Sequence, residues 1–179
     1  MIILTGVAGA GKSMQGKLLA DEHGYAWISS GEIFRVLVTG KRRQAMLEGK
    51  LLSDEEVIRL FDKVFELIDL EEEFVIDGFP RTIPQADWLL EQVHKKRLKL
   101  SAVIHLAASE DVVRGRLMAR GRQDDTEDAI AQRFEEYHAV TLPILDYFKK
   151  EGVHICDIDA SQSPRNVHDA IVRCIDGRL

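Results

Sequence analysis

The most informative part of this sequence is Gly6-Val7-Ala8-Gly9-Ala10-Gly11-Lys12-Ser13. It follows the apolar run Met1 to Thr5 and leads into a segment with a helical pattern. Glycines let the backbone turn tightly and direct its N–H groups at a polyphosphate, and the positive end of the following helix adds to the attraction. In this pattern Lys12 reaches the outer phosphates and Ser13 offers a hydroxyl to Mg²⁺. The stretch therefore predicts a phosphate-binding loop between a strand and a helix.

Apolar runs alternate with helical patterns along the rest of the chain. The runs predicted to be buried strands are Ile2 to Leu4, Ala26 to Ser29, Phe74 to Ile76, Ala102 to Leu106 and Val153 to Ile158. Predicted helices include Gly11 to His23 and a segment that begins at the capping box Ser53-Asp54-Glu55-Glu56, and Ser109 and Ser163 are predicted N-caps. The alternation predicts an α/β fold of the phosphate-loop NTPase type, a doubly wound, five-stranded parallel sheet flanked by helices.

The length and charge of the chain limit its organisation. Its 179 residues suit one domain, residues 1–179, with a small helical insert at residues 30–70. A net charge of -6 argues against a general nucleic-acid or anionic-membrane binder. No segment approaches the ~20 apolar residues that span a bilayer, and the start of the chain lacks a signal-peptide pattern, so we expect a cytoplasmic protein.

The cysteines carry no predicted chemistry. Cys156 and Cys174 are the only two in the sequence, and each lies in a patterned apolar segment. We expect small core residues rather than a disulfide or a metal pair.

Polar groups follow the second and third predicted strands. Ser29-Ser30-Gly31-Glu32-Ile33-Phe34-Arg35 ends the second strand, and Asp77-Gly78-Phe79-Pro80-Arg81-Thr82 follows the third, with Gln85 soon after. Strand ends in such sheets face the ligand, so Asp77 is predicted to act on Mg²⁺ through water. A group of arginines lies further along, at Arg116, Arg120, Arg122 and Arg133.

Together these motifs resemble those of the adenylate kinase family, from the first strand to the last helix. The segment from Ser29 to Arg35 is similar to the monophosphate-binding motif of that family, and the segment from Asp77 to Thr82 with Gln85 matches its most specific signature. Gly121-Arg122-Gln123-Asp124-Asp125 resembles the arginine–aspartate pair that closes its lid, and Asp159-Ala160-Ser161 resembles the loop over the ATP base. The resemblance implies Mg²⁺-dependent, reversible phosphoryl transfer from ATP to AMP, giving two ADP.

The resemblance also implies roles for individual residues. The implied ATP-binding residues are Gly9, Ala10, Gly11, Lys12, Ser13, Met14, Arg116, Arg120 and Ser161. The implied AMP-binding residues are Ser30, Arg35, Lys50, Leu52, Gly78, Arg81, Gln85, Arg122 and Arg133. The implied catalytic residues are Lys12, Arg81, Arg120, Arg122 and Arg133, and Ser13 and Asp77 attend Mg²⁺. Within these sets Arg116 stacks on the ATP adenine, while Ser30 and Gln85 contact the AMP base.

The chemistry of the reaction agrees with such a set of cations. Two polyanionic nucleotides repel each other, and arginine forks cancel that repulsion bidentately without losing their charge. The attacking oxygen of a monophosphate is already anionic, so the reaction needs no histidine or carboxylate as a base.

Structural interpretations of the same residues stay open. Arg116 and Arg120 lie one helical turn apart and are able to pair with acids such as Asp111. Thr82-Ile83-Pro84-Gln85 has the spacing of a capping box, so Gln85 suits the start of a helix as well as a base edge.

The acidic pair has a second interpretation as well. With Thr126, Asp124 and Asp125 suit the N-terminal charge and cap of a helix. Tyr137 and His138 are interpreted as helix-packing residues.

The chain departs from the family pattern in the loop and in the lid. Ala8, Ser13 and Met14 stand where the family usually has proline, glycine and threonine, and we hypothesise that Ser13 binds Mg²⁺ directly. Residues 120–125 are a vestigial lid, in which only Gly121 separates Arg120 from Arg122. The lid has no cysteine cluster for a structural zinc. We expect poorer exclusion of water, or a partner chain that covers the site, with a monomer favoured.

Other functions compete with this one. A UMP/CMP kinase shares the fold and the arginines, and a nucleotide-sensing or assembly module that transfers little needs only the phosphate loop. The expected partners are the small molecules ATP and AMP, without a nucleic acid or a membrane.

Overall fold

The computed structural model describes residues 1–48 and 50–177. The predicted domain of residues 1–179 includes Gly49, Arg178 and Leu179, which lie outside the described residues. In the described part the strands are β1 (Ile2–Thr5), β2 (Ala26–Ser29), β3 (Phe74–Asp77), β4 (Ala102–Ala107) and β5 (Ile155–Asp159). The α-helices are α1 (Lys12–His23), α2 (Ser30–Leu37), α3 (Gly40–Leu47), α4 (Asp54–Leu67), α5 (Ile83–His94), α6 (Glu110–Arg120), α7 (Glu127–Glu136), α8 (Pro143–Lys150) and α9 (Pro164–Asp176). A π-helical segment, Tyr137–Thr141, precedes α8.

The strands of the described residues form one parallel sheet in the order β2-β3-β1-β4-β5. The first strand of the chain therefore lies at the centre, where Leu4 is opposite Asp77 on one side and Ile104 on the other. The predicted five-stranded parallel sheet flanked by helices is confirmed. The last strand begins at Ile155, two residues later than predicted.

Two hydrophobic cores explain why helices cover both faces of the sheet. Ile2 and Leu4 of β1 pack in one core with Leu19 of α1, whereas Ile3 packs in the other core with Phe61 of α4. All of these side chains are fully buried. Successive residues of a strand point to opposite faces, so an unbroken apolar strand requires cover on both.

Capping side chains fix where several helices begin. The Ser53 and Thr82 hydroxyls accept hydrogen bonds from the backbone N–H groups of Glu56 and Gln85, at 3.4 and 3.3 Å. These bonds satisfy donors that have no partner inside the helix. Ser109 occupies the N-cap position of α6, although its side chain makes no capping hydrogen bond within the described structure.

The expectation for the cysteines is wrong. Cys156 of β5 and Cys174 of α9 are joined in a disulfide, with their Cα atoms 6.5 Å apart. Both also pack against the core that contains Ile2 and Leu4. Because α9 lies on β5, residues separated by 18 positions in sequence meet across that contact, which local patterning does not reveal.

Three helices, α2 to α4, follow one another between β2 and β3, where the insert of residues 30–70 is predicted. On the other side of the sheet, α6 ends at Arg120 and α7 begins at Glu127, so only a short connection lies where the vestigial lid is predicted. In the residues that the structure describes, no helix combines the length and apolar character required to cross a membrane.

Candidate active site

A cleft of about 700 Å³ opens at the carboxyl ends of the central strands. Most of the residues predicted for the site line it: Gly9, Ala10, Gly11, Lys12, Ser13, Met14, Arg35, Lys50, Leu52, Asp77, Gly78, Arg81, Gln85, Arg116, Arg120, Arg122 and Arg133. The two exceptions are Ser30 and Ser161. Parallel strands place the loops that follow them along one edge of the sheet, which explains why distant segments meet here.

The backbone of the phosphate loop depends on glycine. Gly6 has a φ of 139°, and a Cβ atom there would lie 2.5 Å from the carbonyl oxygen of Leu106. Gly11 is left-handed, with a φ of 106°, at the N-cap of α1. Side chains other than glycine rarely adopt such angles, so the sequence Gly6 to Gly11 is what allows the chain to curl before α1.

Lys12 is folded back onto the loop. Its Nζ donates hydrogen bonds to the carbonyl oxygens of Gly6 and Val7, at 2.7 and 2.8 Å. Burial lowers the pKa of Lys12 to about 8; the Asp77 carboxylate opposes the shift, and nearby arginines add to it. A polyanion placed beside the ammonium would favour its charged form.

Ser13 and Asp77 place two side-chain oxygens next to each other at the start of α1. The Ser13 hydroxyl donates to Asp77 Oδ2 at 2.6 Å. Mg²⁺ is usually held by one or two protein oxygens, phosphate oxygens and water, so a hydroxyl and a carboxylate at a polyphosphate cradle fit this ion. Among the described residues, no group of three or more histidine, cysteine or acidic side chains is arranged to hold a metal ion.

Two arginines, Arg120 at the end of α6 and Arg133 in α7, are held by carboxylates. Arg120 donates from Nε and Nη2 to the two oxygens of Asp125, at 2.8 and 2.5 Å. Arg133 contacts both Asp124 and Asp125. The Asp125 side chain is fully buried. Burial raises its pKa, but the hydrogen bonds from Arg120 and from the Arg122 backbone outweigh this effect and leave the pKa of Asp125 lowered.

A second set of ion pairs crosses the cleft. Glu32 of α2 accepts from Arg35 Nη1 and from Arg122 Nη2, both at 3.2 Å. Arg35 Nη2 also lies 3.7 Å from Asp124 Oδ2. The α2 helix is therefore tied to the connection between α6 and α7.

Arg81 is held by the turn after β3. Its Nε donates to the Gly78 carbonyl oxygen at 2.7 Å, and the same oxygen accepts from the Ser30 hydroxyl at 2.8 Å. Gly78 has a φ of 78°, and a Cβ atom there would lie 2.8 Å from Ser30 Oγ and 2.9 Å from Arg81 Nη2. Burial lowers the pKa of Arg81, with Asp77 opposing the shift. Ser30 lies behind Arg81 and is 1% exposed.

The structure agrees with both interpretations of Gln85, as a residue of the helix start and as a residue that contacts a base. Its backbone N–H is capped by Thr82, and its Oε1 accepts from the Arg81 N–H at 2.8 Å. Its Nε2 donates to Asp54 Oδ1 at 2.8 Å. The same side chain lines the cleft, although it is only 2% exposed.

Comparison with known proteins gives a consistent result. Residues 4–153 match the family model described as adenylate kinase. The chain belongs to the adenylate kinase family. It is 39% identical to the adenylate kinase of Corynebacterium urealyticum over 98% of each chain, and 34% identical to that of Corynebacterium aurimucosum over 97% of each. Adenylate kinase 1 of a Nostoc species is 35% identical over 93% of each chain. The resemblance read from the motifs is confirmed, and the chain is a phosphate-loop kinase.

Two residues that were predicted to contact the nucleotides, Ser161 and Ser30, do not line the cleft. Ser161 is exposed and turns back on Asp159, whose Oδ1 accepts from the Ser161 N–H at 2.9 Å and from its hydroxyl at 2.5 Å. Its neighbours Ala160 and Gln162 line the cleft instead. Ser30 supports the turn below Arg81 and does not line the cleft.

The structure adds cleft residues that sequence reasoning missed. Tyr137 lines the cleft, and its hydroxyl lies 2.6 Å from His105 Nε2, while His105 Nδ1 lies 2.7 Å from Asp157 Oδ1. Burial, with help from Asp157, raises the pKa of Tyr137. Thr141 also lines the cleft and donates to the Arg81 carbonyl oxygen at 3.0 Å. His105 and Asp157 come from separate strands, so only tertiary pairing brings them to Tyr137.

Proposed function

We propose that one side of the cleft holds ATP and the other holds AMP, and that the chain transfers the γ-phosphoryl group of ATP reversibly to AMP. Membership in the adenylate kinase family supports this reaction. The observation that carries it is the meeting of a phosphate loop with arginines from five separate segments in one cleft, namely α2, the turn after β3, α6, the connection after α6, and α7. These arginines are Arg35, Arg81, Arg116, Arg120, Arg122 and Arg133.

The donor half, in this proposal, consists of the phosphate loop, Lys12, Arg116 and Arg120. The loop N–H groups and the N-terminus of α1 receive the phosphates, and Lys12 exchanges its carbonyl partners for phosphate oxygens. Arg116 lines the cleft together with Ala160 and Gln162, and the ATP base would be placed beside these residues.

The acceptor half consists of Arg35, Arg81, Lys50, Leu52 and the turn at Gly78. Arg81 is fixed by the Gly78 carbonyl and lines the cleft, as Arg133 does. Gln85 also lines the cleft and is hydrogen-bonded to Asp54, the first residue of α4.

Catalysis in this arrangement is a matter of position and charge. An AMP phosphate oxygen is already an anion, so no side chain has to remove a proton. Arg120, Arg122 and Arg133 would neutralise the charge of the transferring group, and Asp124 and Asp125 hold two of these forks in place beforehand. Preorganised cations lower the barrier because they do not reorient as charge develops.

Mg²⁺ belongs to the proposal as the expected cofactor. Ser13 and Asp77 would hold it, and it supplies neutralisation of the charge on the β- and γ-phosphates when bound. Direct ligation by Ser13 remains our hypothesis, and binding of Mn²⁺ followed by paramagnetic resonance in wild type and Ser13→Ala tests it. An unchanged metal environment in the variant would contradict direct ligation.

The short connection between α6 and α7 gives a second, smaller proposal. With residues 120–125 in place of a full lid, we propose that water reaches the reacting phosphates more readily, or that a partner chain covers them. ATP hydrolysis without an acceptor should then be measurable beside transfer to AMP in the monomer. Negligible hydrolysis by a monomer contradicts the first version.

A coupled assay of ADP formation from Mg·ATP tests the function. AMP, CMP, UMP, GMP and no acceptor are compared in parallel. We expect turnover with AMP to exceed all others; turnover led by CMP or UMP would identify a pyrimidine kinase, and silence would favour a binding module. We also propose that the protein is a monomer and that it is cytoplasmic.

A further inference from the structure

We propose that Asp54 is a specificity-determining residue, because it fixes which way round the Gln85 amide faces the acceptor base. The inference rests on the proposed function only in taking the base of a nucleoside monophosphate as the ligand beside Gln85. Asp54 is the first residue of α4 and lies 31 positions from Gln85 in sequence. It does not line the cleft, so it acts through Gln85.

Four hydrogen bonds form a closed set around the Gln85 side chain. The Thr82 hydroxyl accepts from the Gln85 backbone N–H, at 3.3 Å, and donates its own proton to Asp54 Oδ1, at 2.6 Å. Asp54 Oδ1 also accepts from Gln85 Nε2, at 2.8 Å. Gln85 Oε1 accepts from the Arg81 backbone N–H, at 2.8 Å.

The chemistry of these partners allows only one orientation of the amide. A carboxylate oxygen accepts hydrogen bonds, and a backbone N–H donates them. A flipped Gln85 would place its carbonyl against the Asp54 carboxylate and its NH₂ group against the Arg81 N–H. Both contacts would then join like with like, and the site is buried, so the flip leaves polar groups without partners.

A fixed amide recognises the order of donor and acceptor on a base. After its two bonds to the protein, Gln85 keeps one N–H and one carbonyl lone pair for a ligand. Adenine pairs with them through its N6 amino group as donor and N1 as acceptor. Hypoxanthine has the same shape but carries O6 as acceptor and N1–H as donor, so it would need the flipped amide. The set therefore favours bases with an amino group over bases with a keto group at this position.

Removal of Asp54 should weaken this discrimination without a general loss of activity. In Asp54→Ala the Nε2 side of the amide is released, and we expect the ratio of kcat/KM for AMP to kcat/KM for IMP to fall on the order of tenfold. The KM for ATP should stay unchanged. Asp54→Asn keeps a carbonyl oxygen for Thr82 and Gln85, so it should restore most of the ratio.

The matched control is Glu55→Ala. Glu55 is the next acidic residue in the first turn of α4 and is exposed, so the variant removes the same helix-end charge without a contact to Gln85. Its ratio for AMP and IMP should equal that of wild type. CMP and UMP repeat the comparison with a second pair of bases, since cytosine has the adenine order and uracil the reverse.

Binding measurements separate this proposal from the phosphoryl-transfer proposal. Titration calorimetry of AMP and IMP into wild type and Asp54→Ala reads the discrimination without turnover. A ratio that falls in Asp54→Ala and recovers in Asp54→Asn supports the proposal, even if transfer fails. Equal losses for AMP and IMP in Asp54→Ala overturn it, as does a wild-type protein that binds both equally.

Discussion

Lys12 and Arg133 line the same cleft, but different parts of the chain hold them. Lys12 donates to the carbonyl oxygens of its own loop, five and six residues away, whereas Arg133 contacts the carboxylates of Asp124 and Asp125. Backbone carbonyl oxygens thus hold Lys12, and we call the phosphate loop the backbone cradle. Ion pairs with carboxylates hold Arg133, and we call these ion pairs the arginine framework. The first depends on glycine geometry and the second on charged partners, so the two should respond differently to substitution and to pH.

The largest expected effect comes from the backbone cradle. Lys12→Met should lower kcat by about 10³-fold or more, because the loop then lacks its only side-chain cation at the phosphates. A coupled assay at saturating ATP and AMP measures it. Lys17→Met is the matched control, since Lys17 lies on the same helix over the Trp27 ring and outside the cleft. Equal activity of the two variants would contradict the role of Lys12.

Arg133→Lys probes the framework while keeping the charge. A lysine cannot span Asp124 and Asp125 or offer a planar fork, so we expect kcat to fall by about 10²-fold. The same exchange at Arg114, which pairs with Glu127 on the surface, should leave kcat unchanged. If Arg133→Lys keeps full activity, the fork geometry is not needed.

The variant Asp125→Asn tests whether the arginine framework makes the stability of the protein depend on pH. The pKa of Asp125 is lowered on folding, so the carboxylate adds stability above its usual value of 3.8, and this stability disappears as the pH falls through the lowered value. The variant should lose about 1 to 2 kcal/mol of unfolding free energy at pH 7 and show a smaller further loss in acid. Urea unfolding at pH 7 and pH 3 measures the difference.

The control for this experiment is Asp128→Asn, an exposed acid in the first turn of α7. It should change the unfolding free energy by less than about 0.5 kcal/mol at either pH. An Asp125 variant with the pH dependence of wild type would show that the arginine framework does not depend on this carboxylate.

The smallest effect is expected at the ion pairs across the cleft. Glu32 pairs with Arg35 and Arg122, which are proposed to bind the AMP phosphate. Because Glu32 would compete with that phosphate, Glu32→Gln should lower the KM for AMP by about two- to fivefold. Glu66→Gln, an exposed substitution on α4, is the control. An increase in KM would instead mean that Glu32 positions the arginines for AMP.

The same contrast explains how much of the molecule could be predicted. The loop from Gly6 to Ser13, the alternating strands and helices, and the caps at Ser53 and Thr82 are local patterns, and the structure confirms the fold that they predict. Family membership was also predictable, because several motifs agreed independently. The individual roles of the site residues remain predictions.

Most of the features that the sequence did not reveal depend on contacts between distant segments. The disulfide between Cys156 and Cys174 depends on how α9 lies on β5. The hydrogen bonds that join Tyr137 to His105 and His105 to Asp157 connect three different elements. In the sequence, Asp54 looks like any acidic residue in the first turn of a helix. Its hydrogen bond to Gln85 is visible only in the structure. Ser161 hydrogen-bonds Asp159 in a local turn, and its predicted contact with ATP stays a prediction.

The central place of β1 in the sheet also has a consequence for synthesis. The strand β1 leaves the ribosome before its hydrogen-bonding partners Phe74–Asp77 and Ala102–Ala107, so both of its edges can be paired only after the chain up to Ala107 has emerged. Contacts that join distant segments slow folding and leave strand edges exposed in the meantime. The nascent chain should therefore carry an open sheet edge beside its phosphate loop until β4 has emerged.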